Sequence, residues 1–107
     1  MLTGKVCIVT GGGRGIGKAI AQVFAQNGAV VYAVDNREGS VEEWSGEFNQ
    51  GVKGEVRSLY FDISSEKAVK DGVMQIKKAC GHIDGLVNNA GVEFNELSGM
   101  FSRENME

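Results

Sequence analysis

A glycine-rich turn between an apolar run and a helix-like pattern constrains the fold of this chain more than any other feature. Residues 6–9 read VCIV, residues 10–17 read TGGGRGIG, and apolar residues then recur at helical spacing. A strand that bends through glycines into a helix leaves the first backbone N–H groups of the helix without partners, and these attract an anion. The turn therefore predicts a strand, a nucleotide-phosphate loop and a helix in succession.

The helix after the turn is expected to end near Asn27, because Gly28 can adopt the left-handed conformation that ends many helices. Its predicted apolar stripe consists of Ile16, Ala19, Ile20, Val23 and Phe24. Within the turn, Gly11 suits a tight bend, Gly15 the approach of phosphates to the main chain, and Gly17 close packing of the helix on the strand.

Two other phosphate-binding motifs fit these residues less well. A P-loop matches from Gly12 to Lys18 but fails at Ala19, where a hydroxyl would hold magnesium. The common Gly-x-Gly-x-x-Gly motif fails because Ile16 stands where its third glycine belongs. The spacing present is Gly-x-x-x-Gly-x-Gly.

That spacing, preceded by Thr10, resembles the short-chain dehydrogenase/reductase family, whose members use a Rossmann fold and a nicotinamide dinucleotide. Arg14 within the turn is similar to the 3-oxoacyl-acyl-carrier-protein reductases of that family. Three further landmarks of the family follow in order, each at the end of an apolar run: Asp35, then Asp62-Ile63, then Asn88-Asn89-Ala90-Gly91.

The rest of the chain alternates short apolar runs with helix-like segments, as expected for parallel strands buried on both faces. Strands are predicted over 30–34, 59–61 and 86–87, and helices over 40–49, with Trp44 and Phe48 facing inward, and over 65–80, with Ser64 as its cap. Right-handed crossovers then give an α/β, Rossmann-type three-layer structure. Its parallel sheet has the order 3-2-1-4, half of a doubly wound fold.

The resemblance implies a cofactor site that draws on four parts of the chain. Its expected residues are Gly11, Gly13, Arg14, Gly15, Ile16 and Gly17 in the turn, followed by Asp35, Asp62, Ile63, Asn89, Ala90 and Gly91. Thr10 and Asn88 are expected to tie neighbouring strands together. Each acid also has a plainer interpretation, as a turn or loop residue after its strand.

The expected cofactor is NAD, with NADP as the alternative. Asp35 lies close to the roughly 20-residue offset at which an acid reaches the adenosine ribose, where its charge repels a 2′-phosphate. Arg14 and Arg37 could each neutralise such a phosphate, which keeps NADP open.

The family's catalytic Ser, Tyr and Lys lie beyond the point where this chain of 107 residues stops. Neither Tyr32 nor Tyr60 is followed four positions later by lysine, and both are expected in strands. We therefore expect one truncated dinucleotide-binding half over residues 1–107, with no catalytic residues and no dehydrogenase activity of its own. A short helical turn after Ser102 that stops at Glu107 supports the same expectation, because so short a helix cannot sustain itself.

Composition and charge narrow the partners. The formal charge of −3 provides no basic field for nucleic acid, and no apolar run approaches the roughly 20 residues of a membrane helix. The absence of a secretory leader favours the cytoplasm. Cys7 and Cys80 form no metal-spaced pair, no metal site is expected, and both thiols should pack as small apolar groups.

An open sheet edge at residues 86–87 predicts homo-oligomers that associate through the exposed edge or sheet face. The alternative to an oxidoreductase half is accordingly a nucleotide-binding or self-associating module without catalysis.

Overall fold

The computed structural model describes residues 1–89, which form one parallel sheet with helices on both faces. The strands are β1 (Val6–Thr10), β2 (Val30–Asp35), β3 (Glu55–Tyr60) and β4 (Gly85–Asn88). The helices are α1 (Gly15–Gln26), α2 (Glu42–Phe48) and α3 (Glu66–Cys80), and a 3-10 turn at Asn49–Gly51 follows α2. The sheet order is β3-β2-β1-β4, so the predicted Rossmann-type α/β fold is confirmed. Ala90, Gly91 and the helical turn predicted after Ser102 lie outside the described residues.

Strand β1 lies in the middle of the three layers, and all five of its residues are buried. Because successive side chains of a strand point to opposite faces, β1 contributes to two separate clusters. Val6 and Ile8 belong to the cluster that contains the buried face of α3. Cys7 and Val9 belong to the cluster formed with α1 and α2.

The buried face of α1 differs from the predicted stripe. Gly17, Ala21 and Ala25 are buried, whereas Ile16 and Val23 are 72% and 51% exposed. The helix turns its smallest residues inward, which lets its backbone approach the sheet closely. The predicted stripe is therefore confirmed for Ile20 and Phe24, which are partly buried against the same core cluster, and wrong for Ile16 and Val23. The predicted helix end is confirmed, since Asn27 is the C-cap and Gly28 has a φ of 101°.

Strand β3 begins at Glu55, four residues before the predicted run. It pairs with β2 alone among the described strands, so it forms one edge of the sheet. An edge strand can keep polar side chains in solvent. Glu55 and Arg57 form an ion pair of 3.2 Å there. Because these residues are polar, the apolar pattern predicted only the last part of the strand.

Helix α3 is capped by Ser65 and not, as predicted, by Ser64. The Ser65 hydroxyl accepts a hydrogen bond from the Ala68 N–H at 3.2 Å, whereas the Ser64 hydroxyl donates to Asp62 at 2.7 Å. Ser65 has the extended backbone typical of an N-cap. No helix in residues 1–89 is long and apolar enough to cross a membrane.

Both cysteines are free thiols. Cys7 is buried in β1, and its burial raises the pKa of the thiol, so the group stays protonated. Cys80, at the end of α3, is half-buried with its sulfur 3.6 Å from the Tyr32 hydroxyl. The two residues pack as small apolar groups, as predicted.

Candidate dinucleotide-binding site

The glycine turn joins the carboxyl end of β1 to the beginning of α1. Gly11 and Gly15 have φ angles of 67° and 61°, in the left-handed region that favours glycine. Apart from its two chain neighbours and the backbone of its own helix, no residue among 1–89 has an atom within 4 Å of the place where a β-carbon on Gly15 would be, so a ligand can reach the backbone there. Arg14 is the N-cap residue of α1, and its side chain makes no capping hydrogen bond. The turn thus has the geometry of an anion-binding helix N-terminus.

Three other glycines of the turn are needed because neighbouring atoms leave no space for a side chain. A β-carbon on Gly12 would lie 2.7 Å from the β-carbon of Ala33, in β2. One on Gly13 would overlap the Ser40 hydroxyl, and one on Gly17 would overlap the carbonyl oxygen of Gly11. The main chain of the turn is therefore packed directly against β2, the segment before α2, and α1.

The peptide groups of Gly13 are held from two sides. The Gly13 N–H donates to Asp35 Oδ2 at 3.0 Å, and the Gly13 carbonyl accepts from Trp44 Nε1 at 3.0 Å. Lys18 Nζ lies 5.4 Å from the centre of the Trp44 ring. The predicted inward face of α2 is confirmed, but the contact between Trp44 and the turn was not anticipated, because helical spacing reveals a face and not its partner.

Asp35 ends β2 and accepts three backbone hydrogen bonds. Its Oδ1 accepts from the N–H groups of Asn36 at 2.8 Å and Arg37 at 3.1 Å, and its Oδ2 accepts from Gly13. The turn-acid interpretation therefore describes part of its role. A carboxylate oxygen offers about two acceptor positions, so Oδ2 retains one for a ligand.

A cleft of about 250 Å³ opens at the carboxyl ends of β1, β2 and β3. Ligands of parallel α/β sheets bind at this end of the strands. The cleft brings together four of the predicted site residues, and its lining consists of Gly11, Val34, Asp35, Asn36, Phe61, Asp62 and Ile63.

Asp62 presents a carboxylate at this cleft. Its Oδ1 accepts from the Ser64 hydroxyl at 2.7 Å and from the Ser64 N–H at 2.9 Å. These two bonds lower the pKa of Asp62 below its usual value, the hydroxyl more than the amide. The side chain is therefore an acceptor at neutral pH.

The asparagine that ends β4, Asn88, and the one that follows it, Asn89, adjoin β1 and the other side of the turn. The Thr10 hydroxyl donates to Asn88 Oδ1 at 2.9 Å, which ties β1 to β4 as predicted. Asn89 lies beside the glycine turn, with its Nδ2 3.5 Å from the Gly11 carbonyl oxygen. The structure thus places Asn89 next to the turn and outside the cleft that Asp35 and Asp62 line.

Comparison with known proteins agrees with this geometry. The family model for short chain dehydrogenases matches residues 5–107. The chain is 42% identical over 92 residues to the uncharacterized oxidoreductase YxbG of Bacillus subtilis, covering 86% of this chain and 33% of that protein. It is 38% identical over 91 residues to the 3-oxoacyl-[acyl-carrier-protein] reductase FabG of Thermotoga maritima, covering 85% of this chain and 37% of that protein.

The chain spans about a third of the length of these two relatives. A third relative is closer in length. The short-chain dehydrogenase/reductase homolog YusS of Bacillus subtilis is 38% identical over 88 residues, covering 82% of this chain and 81% of that protein.

Solved structures resemble this chain in both fold and sequence. A metagenomic short-chain oxidoreductase in complex with NADP superposes with a TM-score of 0.79 at 36% identity, over 85% of this chain and 41% of that one. NAD⁺-bound xylitol dehydrogenase superposes with a TM-score of 0.71 at 36% identity, over 79% of this chain and 32% of that one. The chain belongs to the short-chain dehydrogenase/reductase family.

Proposed function

We propose that residues 1–107 are the dinucleotide-binding half of a short-chain oxidoreductase, and that they bind NAD. The observation that carries this proposal is the adjacency of an uncapped helix N-terminus to a cleft lined by Gly11, Asp35, Asp62 and Ile63. The first supplies N–H donors for a pyrophosphate, and the second supplies carboxylates and apolar surface for an adenosine. The dinucleotide complexes of the two structural relatives support the same assignment.

Each part of the cofactor has a proposed partner. The turn, including Gly13, Arg14, Gly15, Ile16 and Gly17, faces the pyrophosphate. The cleft binds the adenosine. Asp35 accepts a hydrogen bond from a ribose hydroxyl at its free acceptor position, and Asp62 accepts one from the adenine amino group. Ile63 packs against the adenine ring. For the nicotinamide ribose the proposed residues are Asn89, Ala90 and Gly91.

NAD is preferred to NADP in this proposal because Asp35 places a negative charge beside the ribose. Three backbone N–H groups hold the carboxylate there, so it cannot move aside for a 2′-phosphate without losing those bonds. A phosphate close to a fixed carboxylate experiences repulsion at short range.

When bound, the cofactor supplies hydride chemistry, exchanging a hydride between nicotinamide C4 and the carbon of a carbonyl or secondary alcohol. The residues described here would orient it. The accompanying proton transfer needs a general acid-base group, and we propose that this lies in the other half of a parent enzyme.

The two tyrosines do not supply that proton transfer. The Tyr32 hydroxyl accepts from Arg57 at 2.9 Å, and the Tyr60 hydroxyl accepts from the Val41 N–H at 2.9 Å and donates to Glu42. Burial raises the pKa of both phenols, which is opposite to what general base catalysis near neutral pH requires. Both hydroxyls make hydrogen bonds that connect secondary-structure elements of the fold.

Titration of the chain with NAD tests this function. Trp44 is the one tryptophan of the sequence and contacts Gly13, so its fluorescence should report occupancy of the turn. We expect saturable binding, in the micromolar to millimolar range usual for such ligands. We also expect no change in nicotinamide absorbance when secondary alcohols are added with NAD⁺ or ketones with NADH. Calorimetry that detects no binding at millimolar NAD, or turnover above a buffer-plus-cofactor control, would contradict the proposal.

We further propose that a second copy of the chain covers the free edge of β4. Among the described strands β4 pairs with β1 alone. A mostly apolar groove of about 440 Å³ lies beside it, and its lining consists of Leu2, Lys5, Cys7, Phe24, Asp84, Gly85, Leu86 and Val87. Ile16 and Val23 are further apolar residues of α1, the helix that contributes Phe24 to this groove, and they are 72% and 51% exposed. An open strand edge beside apolar surface favours association with another chain.

Light scattering at micromolar concentrations should therefore show dimers or larger assemblies, and Val23→Glu should weaken them by placing a charge at the interface. Met74→Glu is a matched control, because Met74 is also 51% exposed but lies on α3, across the sheet. A monomer under these conditions would exclude the association. Assembly without any NAD binding would instead support the alternative function, a self-associating module.

A cytoplasmic location completes the proposal. Both cysteines are free, and free thiols are typical of reducing compartments. The formal charge of −3 favours no binding of nucleic acid, so the dinucleotide is the nucleotide ligand that we propose.

A further inference from the structure

The main chain of Arg37 lies beside the proposed ribose site, but its guanidinium group lies at α2. Its backbone N–H donates to Asp35 Oδ1 at 3.1 Å, so its main chain adjoins the carboxylate assigned to the ribose. Its guanidinium reaches α2 instead, where both terminal nitrogens donate to the Glu43 carboxylate at 3.2 Å. This two-pronged arrangement satisfies the guanidinium and the carboxylate together.

The ion pair lies at the surface. The side chains of Arg37 and Glu43 are 54% and 61% exposed. Pairs so exposed to solvent contribute little to stability, so a nearby ligand anion can compete for the arginine. The arginine lowers the pKa of Glu43, which therefore stays charged at neutral pH.

Two other charged groups near the turn and α2, Lys18 and Glu42, are also engaged. Lys18 lies over the Trp44 ring, and Glu42 accepts hydrogen bonds from the hydroxyls of Ser58 and Tyr60. Arg37 is thus the cation whose main chain contacts Asp35, and its charge is balanced by Glu43.

We infer that Glu43 is a specificity-determining residue of the dinucleotide site. Glu43 holds the Arg37 guanidinium on α2. Arg37 is the cation nearest to Asp35 in the sequence, and while it is paired with Glu43 it does not bind a 2′-phosphate. This inference rests on the proposed dinucleotide binding, and it assigns to Glu43 a part of the preference for NAD.

The test is the ratio of the Kd for NADP to the Kd for NAD, measured by calorimetry on the whole chain and on Glu43→Gln. We expect the ratio to fall by roughly two- to fivefold in the variant, as for the gain of one surface charge interaction between Arg37 and the phosphate, while the Kd for NAD changes by less than about twofold. A ratio is insensitive to the folded fraction, so a purely structural effect of the substitution would not change it.

Glu47→Gln is the matched control. Glu47 is exposed on the same helix, one turn further along, and the substitution removes the same charge. Its ratio should equal that of the unmodified chain. At about 1 M salt the difference between the two variants should shrink, because the screening length falls to about 3 Å.

The double variant Glu43→Gln, Arg37→Gln identifies the group responsible. If released Arg37 binds the phosphate, the gain in NADP affinity disappears in the double variant. A gain that persists without Arg37, or a ratio that is the same in Glu43→Gln and Glu47→Gln, overturns the inference while dinucleotide binding stands. Failure of the unmodified chain to bind either dinucleotide overturns the proposed function, and the inference with it.

Discussion

Replacing Gly17 by alanine is expected to lower the free energy of unfolding by about 3 kcal/mol or more and to abolish detectable dinucleotide binding. Gly17 lies in the first turn of α1, where a β-carbon would overlap the carbonyl oxygen of Gly11 and lie 2.8 Å from Asn89 Nδ2. The obstructing Gly11 atoms are backbone, which cannot rotate away as a side chain can. Relief requires α1 to move from the glycine turn. Urea unfolding followed by circular dichroism, with NAD titration alongside, measures both effects.

Gly46→Ala is the matched control for that substitution. Gly46 also lies within a helix, α2, but no atom is within 4 Å of the place where its β-carbon would be. Alanine there should stabilise the chain by roughly 0.5–1 kcal/mol, because glycine is a poor helix former. Equal stability of the Gly17 and Gly46 variants would contradict the described packing of the turn.

A further variant keeps the binding question open if Gly17→Ala does not fold. Gly15→Ala meets no neighbouring atom, although its φ of 61° makes alanine unfavourable by roughly 1–2 kcal/mol. This variant should fold and bind the dinucleotide less tightly, because its methyl group occupies the open side of the turn. If folded Gly15→Ala binds NAD as tightly as the unmodified chain, the pyrophosphate does not bind at this side of the turn.

Asp35→Asn is expected to weaken NAD binding by more than tenfold and to lower the free energy of unfolding by about 2 kcal/mol. Both carboxylate oxygens accept backbone N–H groups, Oδ2 from Gly13 and Oδ1 from Asn36 and Arg37. The amide of asparagine must therefore point its NH₂ group at a donor on one side or the other. Either Gly13 or the N–H groups of Asn36 and Arg37 then lose their acceptor, and the ribose faces a neutral amide in place of the carboxylate.

The control is Asp71→Asn, an acid on α3 whose exposed ion pair with Lys67 spans 3.4 Å. That pair joins positions four apart on a helix, so its loss should change stability by about 0.5 kcal/mol or less, with NAD binding unchanged. If Asp35→Asn binds NAD as tightly as Asp71→Asn does, Asp35 is a structural turn residue alone. Calorimetry together with thermal unfolding separates the two roles.

Sequence reasoning predicted the elements with strong local signals. The glycine turn, the strand before it and the end of α1 at Gly28 follow from backbone preferences that neighbouring residues impose. The strand order follows from alternating elements and right-handed crossovers. The signal for β3 was weaker. This edge strand mixes polar and apolar residues, so the apolar pattern predicted only its last part.

The inward face of α1 was predicted only in part, for a related reason: Ile20 and Phe24 pack against the core, but the alanines at its centre were missed. Apolar periodicity favours the stripe with the largest side chains, whereas close packing of two backbones favours the stripe with the smallest. Ala21 and Ala25 are fully buried, while Ile16 and Val23 are more than half exposed. The deciding quantity is the distance between helix and sheet, which periodicity does not contain.

By itself the sequence determined the βαβ order, the bend at Gly11 and the placement of acids after strands, because these depend on local conformational preference and hydrophobic pattern. Only the tertiary structure decided that Asp35 supports Gly13, that Trp44 holds the same residue from α2, and that Glu43 pairs with Arg37. These contacts join segments that are separate in the chain. Their distances depend on how α2 docks beside the turn, which is a property of the packed sheet and not of any one segment.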